Sequence, residues 1–227
     1  VRDAGNQREF LAQVKETVEL DVEVISGEEE ARRTMLGIRS GLPPGVDDVF
    51  GLDIGGGSTE LIVSRKGCPM TLRSINVGVV RLTEQFLTGE SVSAQALEAA
   101  RQHLRVLRER VQVELGDLTE LTLVGTAGTV TTLSAMAQGL SRYEPHLIHN
   151  SRLTSQTVVR LESQLLGRTK ETRRDLPGLE AGREDVIVAG TLILREMMDG
   201  LGFRECVVST LGLREGVVLE CASRSMG

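Results

Sequence analysis

Aromatic residues are scarce in this chain of 227 residues, which has four Phe, one Tyr and no Trp. Its core must therefore be built from Leu, Val, Ile and Ala, and the aromatic platforms on which single-stranded nucleic acids stack are missing. No apolar run approaches the roughly 20 residues that a membrane-spanning helix needs. A surplus of positive charge is also lacking. The formal charge of −6 argues against broad capture of a polyanion, while it leaves room for local sites made of backbone N–H groups. Neither nucleic acid nor a membrane is expected as a partner. Cys68, Cys206 and Cys221 are odd in number, widely spaced and without a Cys-x-x-Cys pair. That pattern points away from a disulfide framework or a structural zinc site and toward a reducing cytoplasm. Residues 1–10 lack the basic, apolar and small-residue regions of a signal peptide, and the missing initiator Met points to further sequence upstream.

What the chain does contain is ordinary for a globular protein, with 40% hydrophobic and 26% charged residues. Phe10, Val14 and Val18 recur at helical spacing, and residues 21–25 then alternate as a strand does. Ser26-Gly27-Glu28-Glu29-Glu30 opens a second helix, with three carboxylates where the helix dipole favours them. Gly41-Leu42-Pro43-Pro44-Gly45 ends it, because a Pro pair cannot continue a helix. A hinge or domain boundary is expected there, dividing 1–42 from 43–227. Val49 to Ile54 and Leu61 to Val63 read as two strands joined by a glycine turn, with 71–80 as a third antiparallel strand. A long helix capped by Ser91 or Ser93 runs to Gly116. A strand at 121–124 then leads through Gly125-Thr126-Ala127-Gly128-Thr129 into another helix. Residues 140–183 read as a helical insertion with one clear helix near 156–166, followed by a helix from Ile187 to Leu201, a strand at 206–208 and a terminal helix. Three strands joined by tight turns, followed by alternating helices and parallel strands, imply an α/β fold with a mixed sheet flanked by helices.

The most informative stretch is Asp53-Ile54-Gly55-Gly56-Gly57-Ser58-Thr59-Glu60. Glycines let consecutive N–H groups converge on phosphate oxygens, and the Ser58 and Thr59 hydroxyls offer further donors. Asp53 at the strand end would repel a phosphate unless a cation such as Mg²⁺ lay between them, and Glu60 can serve the same ion. The competing reading is a hairpin turn whose glycines serve geometry alone. No Lys follows the glycines, and the turn leads into a strand, so neither the P-loop nor the dinucleotide fingerprint applies. The second turn, Gly125–Thr129, could hold another phosphate or a nucleoside at a helix N-terminus, or serve only close helix packing. For Glu30 the bland reading is a solvated helix cap.

Ile25-Ser26-Gly27-Glu28-Glu29-Glu30-Ala31-Arg32, Leu52-Asp53-Ile54-Gly55-Gly56-Gly57-Ser58-Thr59-Glu60-Leu61, Asn76-Val77-Gly78-Val79-Val80-Arg81-Leu82-Thr83 and Gly212-Leu213-Arg214-Glu215-Gly216 resemble, in this order, the Ppx/GppA phosphatase family. Its members are exopolyphosphatases and guanosine pentaphosphate phosphohydrolases. The resemblance implies an actin-like ATPase (ribonuclease H-like) fold of two domains with the site between them. Residues before Pro43 would belong to the first. That domain would be incomplete, since an opening strand and turn resembling Asp-x-Gly-Ser-Asn-Ser-x-Arg are not found. By motif position, Glu30 would act on the attacking water, Asp53 and Glu60 would hold Mg²⁺, and Gly55, Gly56, Gly57, Ser58 and Thr59 would bind phosphate. The implied reaction is release of the terminal phosphate from inorganic polyphosphate or pppGpp. A non-catalytic phosphate or alarmone-binding protein and an actin-fold phosphotransferase are the alternatives, and a homodimer is left open.

Overall fold

The computed structural model describes residues 4–225, and its centre is the run Val49–Ile54 (β1), buried at every position. A strand covered on both faces reads as a continuous apolar run, and Val-Phe-Gly-Leu-Asp-Ile is nearly that. Thr59–Ser64 (β2) returns antiparallel beside it, and Thr71–Ile75 (β3) adds an outer antiparallel partner. On the other side of β1, Thr122–Thr126 (β4) and then Glu205–Val208 (β6) run parallel to it. Arg152–Thr154 (β5) pairs antiparallel with β6, giving one six-stranded sheet in the order β3-β2-β1-β4-β6-β5.

Alternation of side chains along β1 divides the core in two. Phe50, Leu52 and Ile54 face a large cluster shared with Val79–Phe86 (α3), Ala94–Leu115 (α4), Ala127–Gln138 (α5), Ser155–Leu166 (α7) and Ile187–Leu201 (α9). Val49 faces a smaller cluster with Ile62, Val124 and Val207, closed by Ala31, Met35 and Ile38 of Gly27–Gly41 (α2). Asp53 and Gly51 share this second face, and Met35 fills the space a side chain at Gly51 would occupy. Leu213–Ser225 (α10) crosses α2 so closely that a Cβ on Gly216 would overlap the Arg33 carbonyl of α2, and one on Gly37 the Gly212 carbonyl just before α10. Arg33 Nε is 3.0 Å from Glu220 Oε2 across that crossing, and Arg32 pairs with the same carboxylate. Helix α2, which precedes Pro43, shares its core with the sheet that follows it.

Ser26 caps α2, and of the two serines offered for α4 it is Ser93 that caps it, the pair accepting from the N–H groups of Glu29 and Ala96. Three expectations differ from what is found. Residues 21–25 form no strand, because alternation alone makes no ladder and no neighbouring strand among the described residues pairs with them. The preceding helix, Gln7–Val18 (α1), buries none of its residues. The third strand stops at Ile75, since the N–H groups of Val79 and Val80 bond to the Gly55 and Gly56 carbonyls and start α3 instead. Residues 140–183 are no plain insertion. They contribute the short helices Pro145–Ile148 (α6) and Lys170–Arg173 (α8), the edge strand β5, and α7 with buried Val158, Leu161 and Leu165.

Candidate functional site

The site lies where the carboxyl ends of β1 and β4 meet, which is where open α/β sheets present their crevices. Asp53 stands opposite Glu60 on β2 and level with Thr126 on β4. Both carboxylates are buried, Asp53 at 8% exposure and Glu60 at 1%. Glu60 accepts a 2.8 Å hydrogen bond from the Ser74 hydroxyl on β3, and Asp53 accepts a 3.3 Å bond from the Thr34 hydroxyl on α2. Burial, followed by the negative charges of Glu60 and Glu30, pushes the Asp53 carboxyl up to about 7, against the opposing pull of the Thr34 hydroxyl. The Glu30 carboxylate, half-buried on the first turn of α2, is thus within electrostatic reach of Asp53. Of the three acidic residues expected at the site, Asp53 and Glu60 are direct neighbours and Glu30 lies near enough for its charge to act on Asp53.

The glycine turn beside them is built differently from its expectation. None of Gly55, Gly56 and Gly57 has a positive φ, so curling does not require them. Their carbonyls anchor α3: Val79 N–H bonds to Gly55 at 2.9 Å and Val80 N–H to Gly56 at 2.8 Å. The glycine that the geometry demands is Gly78, where a Cβ would lie 2.5 Å from the Gly56 carbonyl. With the carbonyls committed to α3, the Gly56 and Gly57 N–H groups have no hydrogen-bond acceptor among the described residues, and both glycines are exposed. Adjacent unpaired N–H groups of this kind are what an anion can accept from. Thr59 offers no such donor. Its side chain is fully buried and its hydroxyl donates to the Val77 carbonyl at 2.6 Å. Ser58 stays half-buried at the turn.

The second turn faces the same space. Ala127 holds φ +66°, a left-handed conformation that costs a non-glycine residue about 1 kcal/mol or more. Thr126 is the N-cap of α5 but donates its hydroxyl to the Leu211 carbonyl at 3.0 Å rather than capping the helix. The first N–H groups of α5 are left toward a cleft of about 450 Å³ that reaches from Asp53 over Gly128 to Thr210 and Gly212. An adjoining recess of about 480 Å³ extends past Ala127 to Gly55 and Gly56. Arg183 borders both, with its guanidinium over Gly128 and paired to Glu180. Helix N-termini repel cations, so a guanidinium there is most favourable when an anion lies between.

Arg183, Thr34 and Thr210 escaped the sequence reading. Arg183 falls in a segment without a motif, and its only local signal is the Glu180 three residues before it. Thr34 had none, because its partner lies across a strand. Arg81, inside the third motif, lies beside Gly57. Arg32 and Arg33, both partly buried, are tied to Glu29 and Glu220.

A model of the Ppx/GppA phosphatase family matches residues 1–225. Exopolyphosphatase 2 of Mycobacterium tuberculosis is 33% identical over 97% of this chain and 72% of its own. The guanosine-5'-triphosphate,3'-diphosphate pyrophosphatase of Aeromonas hydrophila is 32% identical over 96% of this chain and 42% of its own. Among solved structures, the Ppx/GppA family member of Aquifex aeolicus superposes with a TM-score of 0.84 at 30% identity, over 99% of this chain and 72% of that one. The mixed, helix-flanked sheet is therefore the actin-like fold of those proteins. This chain belongs to the Ppx/GppA phosphatase family.

Proposed function

We infer that the protein hydrolyses a terminal phosphoanhydride, releasing phosphate from linear polyphosphate or pppGpp. The observation that carries this reading is the meeting of Asp53, Glu60 and Glu30 beside unclaimed N–H groups of Gly56 and Gly57. The exopolyphosphatase and guanosine pentaphosphatase named among the relatives support the two substrates.

The carboxylates suit a divalent cation. Asp53 is buried beside two like charges and is half-protonated near neutrality unless a cation compensates. Among the described residues no group of three or more His, Cys, Asp or Glu is arranged as a metal cage. Mg²⁺ needs none, because it is held by one or two carboxylates and completes its shell with water and phosphate. Asp53 would hold it, with Glu60 on its waters, and when bound it would neutralise charge developing on the transferred phosphoryl group. The chain's own residues do the rest. The Gly56 and Gly57 N–H groups orient the terminal phosphate, Arg183 draws the remainder of the anion along the cleft, and Glu30 takes the proton of the attacking water for in-line displacement.

No helix among the described residues is long and apolar enough to cross a membrane, and no disulfide joins Cys68, Cys206 and Cys221. The free cysteines are compatible with a reducing compartment such as the cytoplasm. Phosphate release from polyphosphate and from pppGpp, each with and without Mg²⁺, tests the proposal. Release from at least one of them, dependent on Mg²⁺, is expected. Calorimetric binding of both without release would instead mark a binding protein, and release that requires an acceptor would mark a phosphotransferase.

A further inference from the structure

Helix α2 ends against two prolines, which leaves its last carbonyls short of donors. Pro43 and Pro44 carry no N–H, and Leu42 at the C-cap is extended, with φ −71° and ψ 146°. The Gly41 carbonyl is instead taken by distant side chains. His149 Nε2 and Asn150 Nδ2 each lie 3.0 Å from it. A carbonyl oxygen only accepts, so Nε2 of His149 donates. Its other ring nitrogen, Nδ1, receives the backbone N–H of Thr210 at 3.2 Å. A backbone N–H only donates, so Nδ1 holds no proton. Two independent partners thus select the same neutral tautomer.

Each partner belongs to one side of the site. Gly41 ends the helix that carries Glu30 and Thr34. Thr210 lies in the loop that floors the cleft beside Asp53, where Leu211 also accepts from Thr126. The clamp itself is held under strain. Asn150 adopts φ +61°, and its Oδ1 is buried without a hydrogen-bond partner among the described residues. Such costs persist only where the surrounding structure imposes them.

We propose that His149 is a positioning residue that pins the end of α2 to the cleft floor through its Nε2–H tautomer, and so sets Glu30 against the phosphate-binding turn. This role rests on the function proposed above for the cleft. The chain has three histidines, so long-range ¹H–¹⁵N spectra of the full chain resolve each imidazole. His149 is expected to show a protonated Nε2 and a bare Nδ1, and the Thr210 amide proton is expected to shift in His149→Leu. Two variants then separate the halves of the clamp. His149→Asn keeps an acceptor where Nδ1 stood but does not reach Gly41, and its turnover should fall about tenfold with little change in KM. His149→Gln keeps a donor near Nε2 but no acceptor for Thr210, and its KM should rise about tenfold with little change in turnover. A proton on Nδ1, or Asn and Gln variants that lose the same parameter, overturns the proposal. The tautomer and the Thr210 shift need no turnover, so they decide the role of His149 even if neither substrate releases phosphate, a result that would count against the proposed function instead.

Discussion

Asp53 and Glu60 are direct cross-strand partners at the turn end of the β1–β2 hairpin, both buried and on the same face of the sheet. Like charges directly opposite one another destabilise a sheet. A fold that keeps such a pair in its interior is less stable without a cation than with one, and several measurable effects derive from this pair and its surroundings.

Asp53 should make the metal-free protein less stable as pH rises. Its carboxyl is held at about 7 in the fold against 3.8 in the unfolded chain. Between those values the folded state binds the extra proton, so stability is greatest at the acid end and declines through pH 4 to 7, by up to roughly 4 kcal/mol at about 1.4 kcal/mol per unit. Thermal melting in chelator should show this decline, and Asp53→Asn should flatten it. Added Mg²⁺ should raise the melting temperature of the parent protein more at pH 8 than at pH 5. An unchanged slope in the Asn variant would remove Asp53 from this role.

Glu30→Gln keeps the size of the side chain and removes its basicity. Turnover should fall by about 10²–10⁴, while calorimetric affinity for phosphate stays within a few fold. A variant that keeps its turnover shows that the water is activated elsewhere.

Thr59→Val tests a hydroxyl that the motif alone would place on the phosphate. Because that hydroxyl serves the Val77 carbonyl, the loss should appear as about 1–3 kcal/mol of stability, the cost of a buried acceptor left unpaired. Denaturant unfolding measures it. Weakened phosphate binding with unchanged stability would return Thr59 to the anion site.

Gly78→Ala should act on the turn at Gly56, earlier in the chain. The new methyl group meets the Gly56 carbonyl, so the turn and the start of α3 must separate, at a cost of about 1–3 kcal/mol. Phosphate affinity should fall with it, because the Gly56 and Gly57 N–H groups lose their aim. Full affinity in a destabilised variant would show that the turn binds no anion.

Legibility in the sequence followed the range of the forces involved. The β1–β2 hairpin, the helix starts at Ser26 and near Ser93 and the strand-to-helix turn at Gly125–Thr129 depend on neighbours within a few residues, and pattern was enough to find them. Strand 21–25 was read from alternation alone, which describes one partner of a ladder. Edge strand β5, three residues long, has too little pattern to register. At the site, Asp53, Glu60 and Glu30 stood out by motif. Arg183 and Thr34 reach the cleft through tertiary packing, and the roles of Thr59 and Gly78 depend on where α3 docks. Apart from the Glu180 beside Arg183, none of these contacts leaves a local trace.

The crossing of α2 and α10 leaves no gap at Gly37 and Gly216 for one helix to slide over the other. The pair therefore behaves as a single rigid strut, and the acidic tip of α2 inherits every tilt imposed on the last helix of the chain. A ligand or neighbour that levers α10 from its solvent side would reset the aim of Glu30 without entering the cleft.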